Sequence, residues 1–396
     1  MNADNEVDDE SNLDLISALF NWDCDEVLQR IFLHLDPYSL KSCRQVCQQW
    51  NSFIHNRLWK SPSGMKLIKQ RLRNQLFEEH PDEETIVVSR IDEESQIFWC
   101  AADNKIAVCG LLNGTANVYD IQTGSLKTVL DCQSSGGFVQ LSLSEDYIVS
   151  VSSYGIICVW ERQYLSLIFC DDFSHCDYFH AVKILGDIII TGDSRGLLNV
   201  FNVVDDQVKK MRTVEDETHP INHLDFDGKL VLTGSRNTIR VLTIGENENT
   251  KVKKIKTGYV SCCCLTFPYA VTSGMKYNRG IKIWDIHTGK IYRTILDVYM
   301  FWSLDIRNGV LSATMSSGNP TSLQVYLVDM KSVTNNDNMR IRCLPASNEP
   351  SVLDPHVCLT DTKIIEAHGT RLTMKEFWYY QVSNWELNTF LTSMKL

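Results

Sequence analysis

The chain predicts a multidomain protein, a small all-α module followed by an all-β domain of seven propeller blades. Three observations carry this. Residues 22–60 place their apolar side chains at helical spacing. From Thr85 onward short β-branched runs alternate with turns. Within that β-rich region a single strand pattern recurs every 41 to 42 residues. At 396 residues the chain has room for both domains.

The helical stretch begins with Val27, Leu28, Ile31, Phe32 and Leu35, an apolar set on one helical face. Asp36-Pro37 stops that helix and starts another: Asp36 caps, and Pro37 fits a first helical position, where its missing N–H costs nothing. Leu40, Cys43, Cys47, Trp50 and Ile54 then step by three and four. The spacing predicts three short helices. About forty residues bury a small core, so apolar residues left exposed here predict a docking surface.

These residues resemble the F-box family. Asp25-Glu26-Val27-Leu28, Ile31-Phe32, Leu35-Asp36-Pro37, Leu40, Val46-Cys47, Trp50 and Leu58-Trp59 stand in the family's order and spacing. Where the family usually has Leu-Pro before the acidic pair, this chain has Asp23-Cys24. The resemblance implies binding of a Skp-type adaptor, and through it a cullin, in an SCF ubiquitin ligase. It assigns Leu28, Ile31, Phe32, Pro37, Leu40, Val46 and Trp50 to making or supporting the adaptor surface.

Ser61-Pro62-Ser63-Gly64 then breaks the helical pattern. Residues 65–80 predict an amphipathic helix with Ile68, Leu72 and Leu76 on one stripe, ended by Pro81. Residues 61–84 therefore read as a helical linker between the F-box, 22–60, and the propeller, 85–378.

In the propeller the recurring strand ends in an aromatic or apolar residue at Tyr119, Trp160, Phe201, Leu242, Trp284 and Tyr326, in steps of 41, 41, 41, 42 and 42. The turn before it keeps register, with Asn113, Tyr154, Arg195 and Arg236 each 41 apart. Such a period with several strands per repeat signals a β-propeller. Thr123-Gly124 and Thr288-Gly289 mark hairpins to the outermost strand. A looser seventh unit runs through 357–359, 363–366 and 371–377. Residues 85–90 are expected to supply the outer strand of the last blade, closing the ring and removing its edges.

This half resembles the WD-repeat family, by period more than by dipeptides. Only Trp284-Asp285 preserves the Trp-Asp pair, and Gly-His is missing from the six regular repeats. Blade packing is expected to rest on apolar contacts instead. An F-box followed by WD repeats is the order of the F-box/WD-repeat family. The resemblance implies the substrate-recognition subunit of an SCF-type ligase, a non-catalytic receptor whose propeller binds a protein substrate. The alternative is a non-ligase scaffold with a divergent F-box.

Net charge is −11, but nine Asp/Glu and no Lys or Arg lie in residues 1–26. The other 370 residues carry 38 basic and 40 acidic groups, a balance of −2. Residues 1–21 read as an acidic, largely disordered tail, and the remainder carries no signal for nucleic acid. No run of eighteen apolar residues predicts a membrane span. The acidic N-terminus does not read as a secretory signal. The 14 cysteines, as in Cys262-Cys263-Cys264, read as reduced small hydrophobes. A cytoplasmic or nuclear protein is expected.

No nucleophile elbow, phosphate loop, zinc-protease or dinucleotide motif occurs, so neither a catalytic residue nor a cofactor is expected. The absence of clustered His and paired carboxylates near the turns weighs against a propeller enzyme using channel-facing residues. His175, Cys176 and His180 lack a fourth ligand at useful spacing, so a metal is not expected either. Binding chemistry in a propeller sits in loops. Arg195, Arg236 and Arg279, with Tyr154 one repeat earlier, fall in turns between second and third strands. Arginine suits bidentate recognition of carboxylate or phosphate. These four are the candidate substrate-binding residues, for an acidic or phosphorylated segment. The link 344–357, with three prolines, is the second candidate.

Overall fold

The computed structural model describes residues 16, 19–20, 22, 24–35, 43–59, 86–132, 139–173, 179–215, 219–244, 252–274, 279–297, 301–316, 323–334, 339–347, 356–360 and 363–376. The chain divides into two compact units. The expected linker helix 65–80, Asp23, Pro37, Leu40, His175, Cys176 and most of the link 344–357 lie outside the described residues.

In the helical unit, the helix Asp25–His34 opens on Asp25 and Glu26. Carboxylates there oppose the positive end of the helix dipole. Leu28 and Phe32, four residues apart, are 0% and 1% exposed. The single stripe read through Cys43, Cys47, Trp50 and Ile54 is not one helix. Residues 43–46 are helical, Cys47 is extended, and a new helix runs Gln48–Phe53. The Cys47 Sγ accepts the Trp50 N–H at 3.5 Å, so the side chain caps the new start. Ile54–Trp59 continues as a π-helix, whose wider turn keeps Ile54 and Leu58 on one side, both 0% exposed. Phe20, Phe32, Trp50 and Phe53 form an aromatic core with ring centroids 5.3 to 6.4 Å apart.

The second unit is a seven-bladed propeller of four-stranded antiparallel sheets. The inner strands are Ile97–Ala102, Val139–Leu143, Phe179–Leu185, His223–Phe226, Cys262–Thr266, Phe301–Arg307 and His356–Leu359, for blades 1 to 7. Each inner strand packs beside the next, and blade 7 beside blade 1. The strands read from the 41-to-42-residue period are the third strands of blades 1 to 6.

Blade 7 is completed from the other end of the domain. Ile86–Asp92 pairs antiparallel with Arg371–Glu376 as its outer strand. The residues that follow tie this strand to blade 1. Glu93 accepts from Tyr119 Oη at 2.6 Å and from Asn117 Nδ2 at 2.7 Å, while within blade 7 Arg371 pairs with Asp92 at 2.8 Å.

Seven apolar clusters fill the seven blade interfaces among the described residues. Polar bonds between neighbouring inner strands add to these apolar contacts. Ser142 Oγ accepts the Ile184 N–H at 3.0 Å, Asp225 Oδ2 the Leu265 N–H at 2.7 Å, and Asp305 Oδ2 the Leu359 N–H at 3.2 Å. Each bond runs from one inner strand to the next. Short polar side chains near the channel can reach a neighbouring backbone N–H that no ladder partner satisfies. Within blade 5, Trp284 Nε1 also donates to Thr272 Oγ1 at 2.9 Å.

The second candidate surface also changes. Leu344 lies in Ile341–Ser347, the outer strand of blade 6, paired with Val325 and 1% exposed. An apolar residue alternating with Arg342 and Cys343 reads as a strand once its partner is seen, so the link is shorter than the sequence suggested.

Candidate binding face and channel

The turns between second and third strands are built by a repeated device. In blades 2, 3 and 4 the last residue of the second strand is short and polar and bonds across the turn, and in blades 2 and 3 it accepts backbone N–H groups. Asp193 Oδ1 accepts from the N–H groups of Arg195 and Leu197, at 3.0 and 2.8 Å. Ser152 Oγ accepts from those of Tyr154 and Ile156, both at 3.2 Å. Ser235 Oγ lies 2.9 Å from Thr238 Oγ1. With the turn cores held this way, Arg195, Arg236 and Arg279 are exposed, and Tyr154 is 48% exposed.

The three arginines stand on blades 3, 4 and 5 at the same end of the propeller, but their turns differ. Tyr154 and Arg195 each precede a glycine with positive φ, Gly155 and Gly196, in a three-residue turn. Arg236 sits in a two-residue turn, because Ser235 already pairs with Thr238. Arg279 precedes Gly280, at φ +86°, where an added Cβ would lie 2.6 Å from Asp297 Cα. The 41-residue step thus places Arg236 on the right turn but not at the matching position within it. The Asp193 carboxylate, 2% exposed, is engaged by backbone N–H groups of its own turn.

Sequence reasoning missed the channel below this end. The inner strands enclose a cavity of about 650 Å³ lined by His180, His223, His356, Trp302, Lys183 and Asp305, among others. His180 and His223 lie at the starts of their strands, beside Asp193 and Gly234 of the second strands. They therefore lie at the same end as the arginine turns. Burial pushes His223 down to about 4, with His180 adding to the effect, and His356 to about 4, with His223 adding. The His356 ring lies against Trp99, tilted by 51° with 4.5 Å between ring centroids. Deeper in, Lys183 Nζ is 2.8 Å from Asp225 Oδ1. Among the described residues no group of three or more His, Cys, Asp or Glu is placed to hold a metal. The histidines lie on blades 3, 4 and 7 with no shared motif, so ring closure is what brings His356 into the same channel as the other two.

In the helical unit the five described residues of the seven assigned separate by burial. Leu28 and Phe32 are core, Ile31 and Trp50 are half-buried, and Val46 is 62% exposed. Trp22 and Val27 are also exposed, at 65% and 46%.

Residues 25–64 match the F-box-like family model. Solved structures share the propeller fold at low identity. The WD40 repeats of RRP9 align at 12% identity and TM-score 0.58, covering 74% of this chain and 97% of that one. A chain of the mitotic checkpoint complex aligns at 13% and 0.61, covering 76% and 96%. The computationally designed Ika8 protein aligns at 16% and 0.54, covering 75% and 100%. No curated protein matches the chain. The protein thus combines an F-box-like helical region with a seven-bladed propeller that has WD40-repeat structural neighbours. This architecture is typical of non-catalytic adaptors and receptors. Among the described residues no helix is long and apolar enough to cross a membrane.

Proposed function

We propose that the protein is the substrate-recognition subunit of an SCF-type ubiquitin ligase. The observation that carries this reading is the F-box-like match at residues 25–64 ahead of a complete propeller. The helical unit binds a Skp-type adaptor and through it a cullin, with Ile31, Val46 and Trp50 at the contact. Leu28 and Phe32 support it from the core, and Pro37 and Leu40 complete the set. The propeller binds the protein substrate. Ubiquitin transfer belongs to other subunits, and the gain is a raised effective concentration of substrate lysines near the conjugating enzyme.

The substrate face is the end carrying Tyr154, Arg195, Arg236 and Arg279. Guanidinium groups on three successive blades suit an acidic or phosphorylated segment, each charge-assisted bond contributing ~1.5–3 kcal/mol. The protein works in the cytoplasm or nucleus, without a cofactor.

Co-purification from cells tests the reading. Ile31→Ala combined with Val46→Ala should remove adaptor and cullin while the propeller stays folded. Adaptor recovery equal to that of the unaltered chain sinks the ligase reading and leaves a propeller scaffold. Changing the three arginines to Glu should alter the set of proteins recovered with the proteasome blocked. An unchanged set removes this face as the reader.

A further inference from the structure

Blade 2 holds a cross-strand pair of cysteines with one member exposed. Cys158 in the third strand and Cys170 in the outer strand are direct partners across the antiparallel ladder. Their sulfurs are 3.1 Å apart. Residues opposite each other in such a ladder have Cα atoms about 4.5 or 5.5 Å apart. Both values fall within the roughly 4.4–6.8 Å that a disulfide spans. Side chains of directly opposed residues leave the sheet on the same face, so no backbone rotation is needed to bring the sulfurs together. A second pair, Cys100 and Cys109, also faces across a ladder, but both members are buried, at 4% and 0% exposure. Cys170 is exposed. Cys158 is buried beside Cys132 and Trp160 in the interface with blade 1.

We infer that Cys158 and Cys170 form a reversible redox pair that closes into a cross-strand disulfide when the protein meets a peroxide. The exposed Cys170 is the thiol an oxidant in solution can reach. Its sulfur attacks one peroxide oxygen, the O–O bond breaks, and the products are a Cys170 sulfenic acid and one water. The Cys158 sulfur then attacks the sulfenic sulfur, the S–O bond breaks, and hydroxide leaves with the Cys158 proton as a second water. Two thiols lose two electrons and two protons in all, and one hydrogen peroxide becomes two waters. Burial pushes the Cys158 thiol up, which suits the partner that waits for a sulfenic acid and not the one that meets the oxidant first. The bond would lock the outer hairpin of blade 2. The Phe173 N–H at the end of that hairpin donates to the Gly155 carbonyl, one residue past Tyr154.

The test uses the reduced full-length chain treated with hydrogen peroxide, alkylated after unfolding and digested without reductant. Mass spectrometry should find the Cys158 peptide joined to the Cys170 peptide and two fewer alkylated cysteines. Reductant should restore both. Cys170→Ser, at an exposed position, should abolish the link and leave Cys158 alkylated, while Cys100 and Cys109 stay alkylated throughout. Three results overturn the pairing: Cys170 as sulfinic or sulfonic acid with Cys158 still alkylated, a link from Cys158 to Cys132, or full alkylation at peroxide levels that oxidise free cysteine. The readout on the unaltered chain decides the matter even if the variant folds poorly.

Discussion

Asp225 accepts the backbone N–H of Leu265 at 2.7 Å through one carboxylate oxygen and faces Lys183 Nζ at 2.8 Å through the other. One side chain of blade 4 thus ties its inner strand to blades 3 and 5. Removing it should cost more than the ion pair alone. Asp225→Ala leaves the Leu265 N–H without its acceptor, a loss of ~1–3 kcal/mol. Lys183→Met should cost less, because the Lys183 side chain is 38% exposed to the channel and solvent screens the pair. Denaturant midpoints of the two variants check the order. Equal losses would mean that the ion pair, not the backbone bond, is the tie.

Acid should weaken the propeller through the channel histidines. His223 and His356 are held down to about 4, whereas an unfolded chain titrates near ~6.5. Between those values the unfolded state binds more protons, so stability rises with pH across the window and falls as pH drops from about 6.5 towards 4. Each group contributes at most ~1.4 kcal/mol per pH unit. His223→Gln with His356→Gln should flatten the fall in melting temperature between neutral pH and the lower edge of that window. The same slope in the double variant would place the proton uptake elsewhere.

Core and surface in the helical unit should respond differently. Phe32→Ala opens the aromatic cluster and should cost ~3–5 kcal/mol. Val46→Asp, at a 62% exposed position, should change stability by no more than about 0.5 kcal/mol yet weaken capture of a Skp-type adaptor. Thermal melts beside pull-downs distinguish them. Full adaptor capture by the Val46 variant would remove that residue from the contact.

Deleting residues 86–92 takes away the outer strand of blade 7 and exposes the edge Arg371–Glu376. At about 1 kcal/mol for each ladder hydrogen bond, the propeller should lose several kcal/mol. Chemical unfolding of the propeller measures this, and an unaltered midpoint would show that the strand is not needed for closure.

The recurrence of 41 to 42 residues marked six blades, and a looser unit supplied the seventh, because every repeat must bury the same two faces against its neighbours. The helical stripe and the F-box resemblance likewise needed only local spacing. The placing of arginines on successive turns was legible for the same reason. Tertiary structure decided the rest. Which residues share the channel depends on closing the ring, and His180, His223 and His356 come from three blades with no common motif. Asp225 reads as an ordinary strand acid until Leu265 of the next blade arrives. Cys47 reads as one step of a helical stripe until its sulfur caps the turn that follows. Local periodicity records what each segment buries, whereas the partner of a polar atom is set by chain brought in from far along the sequence.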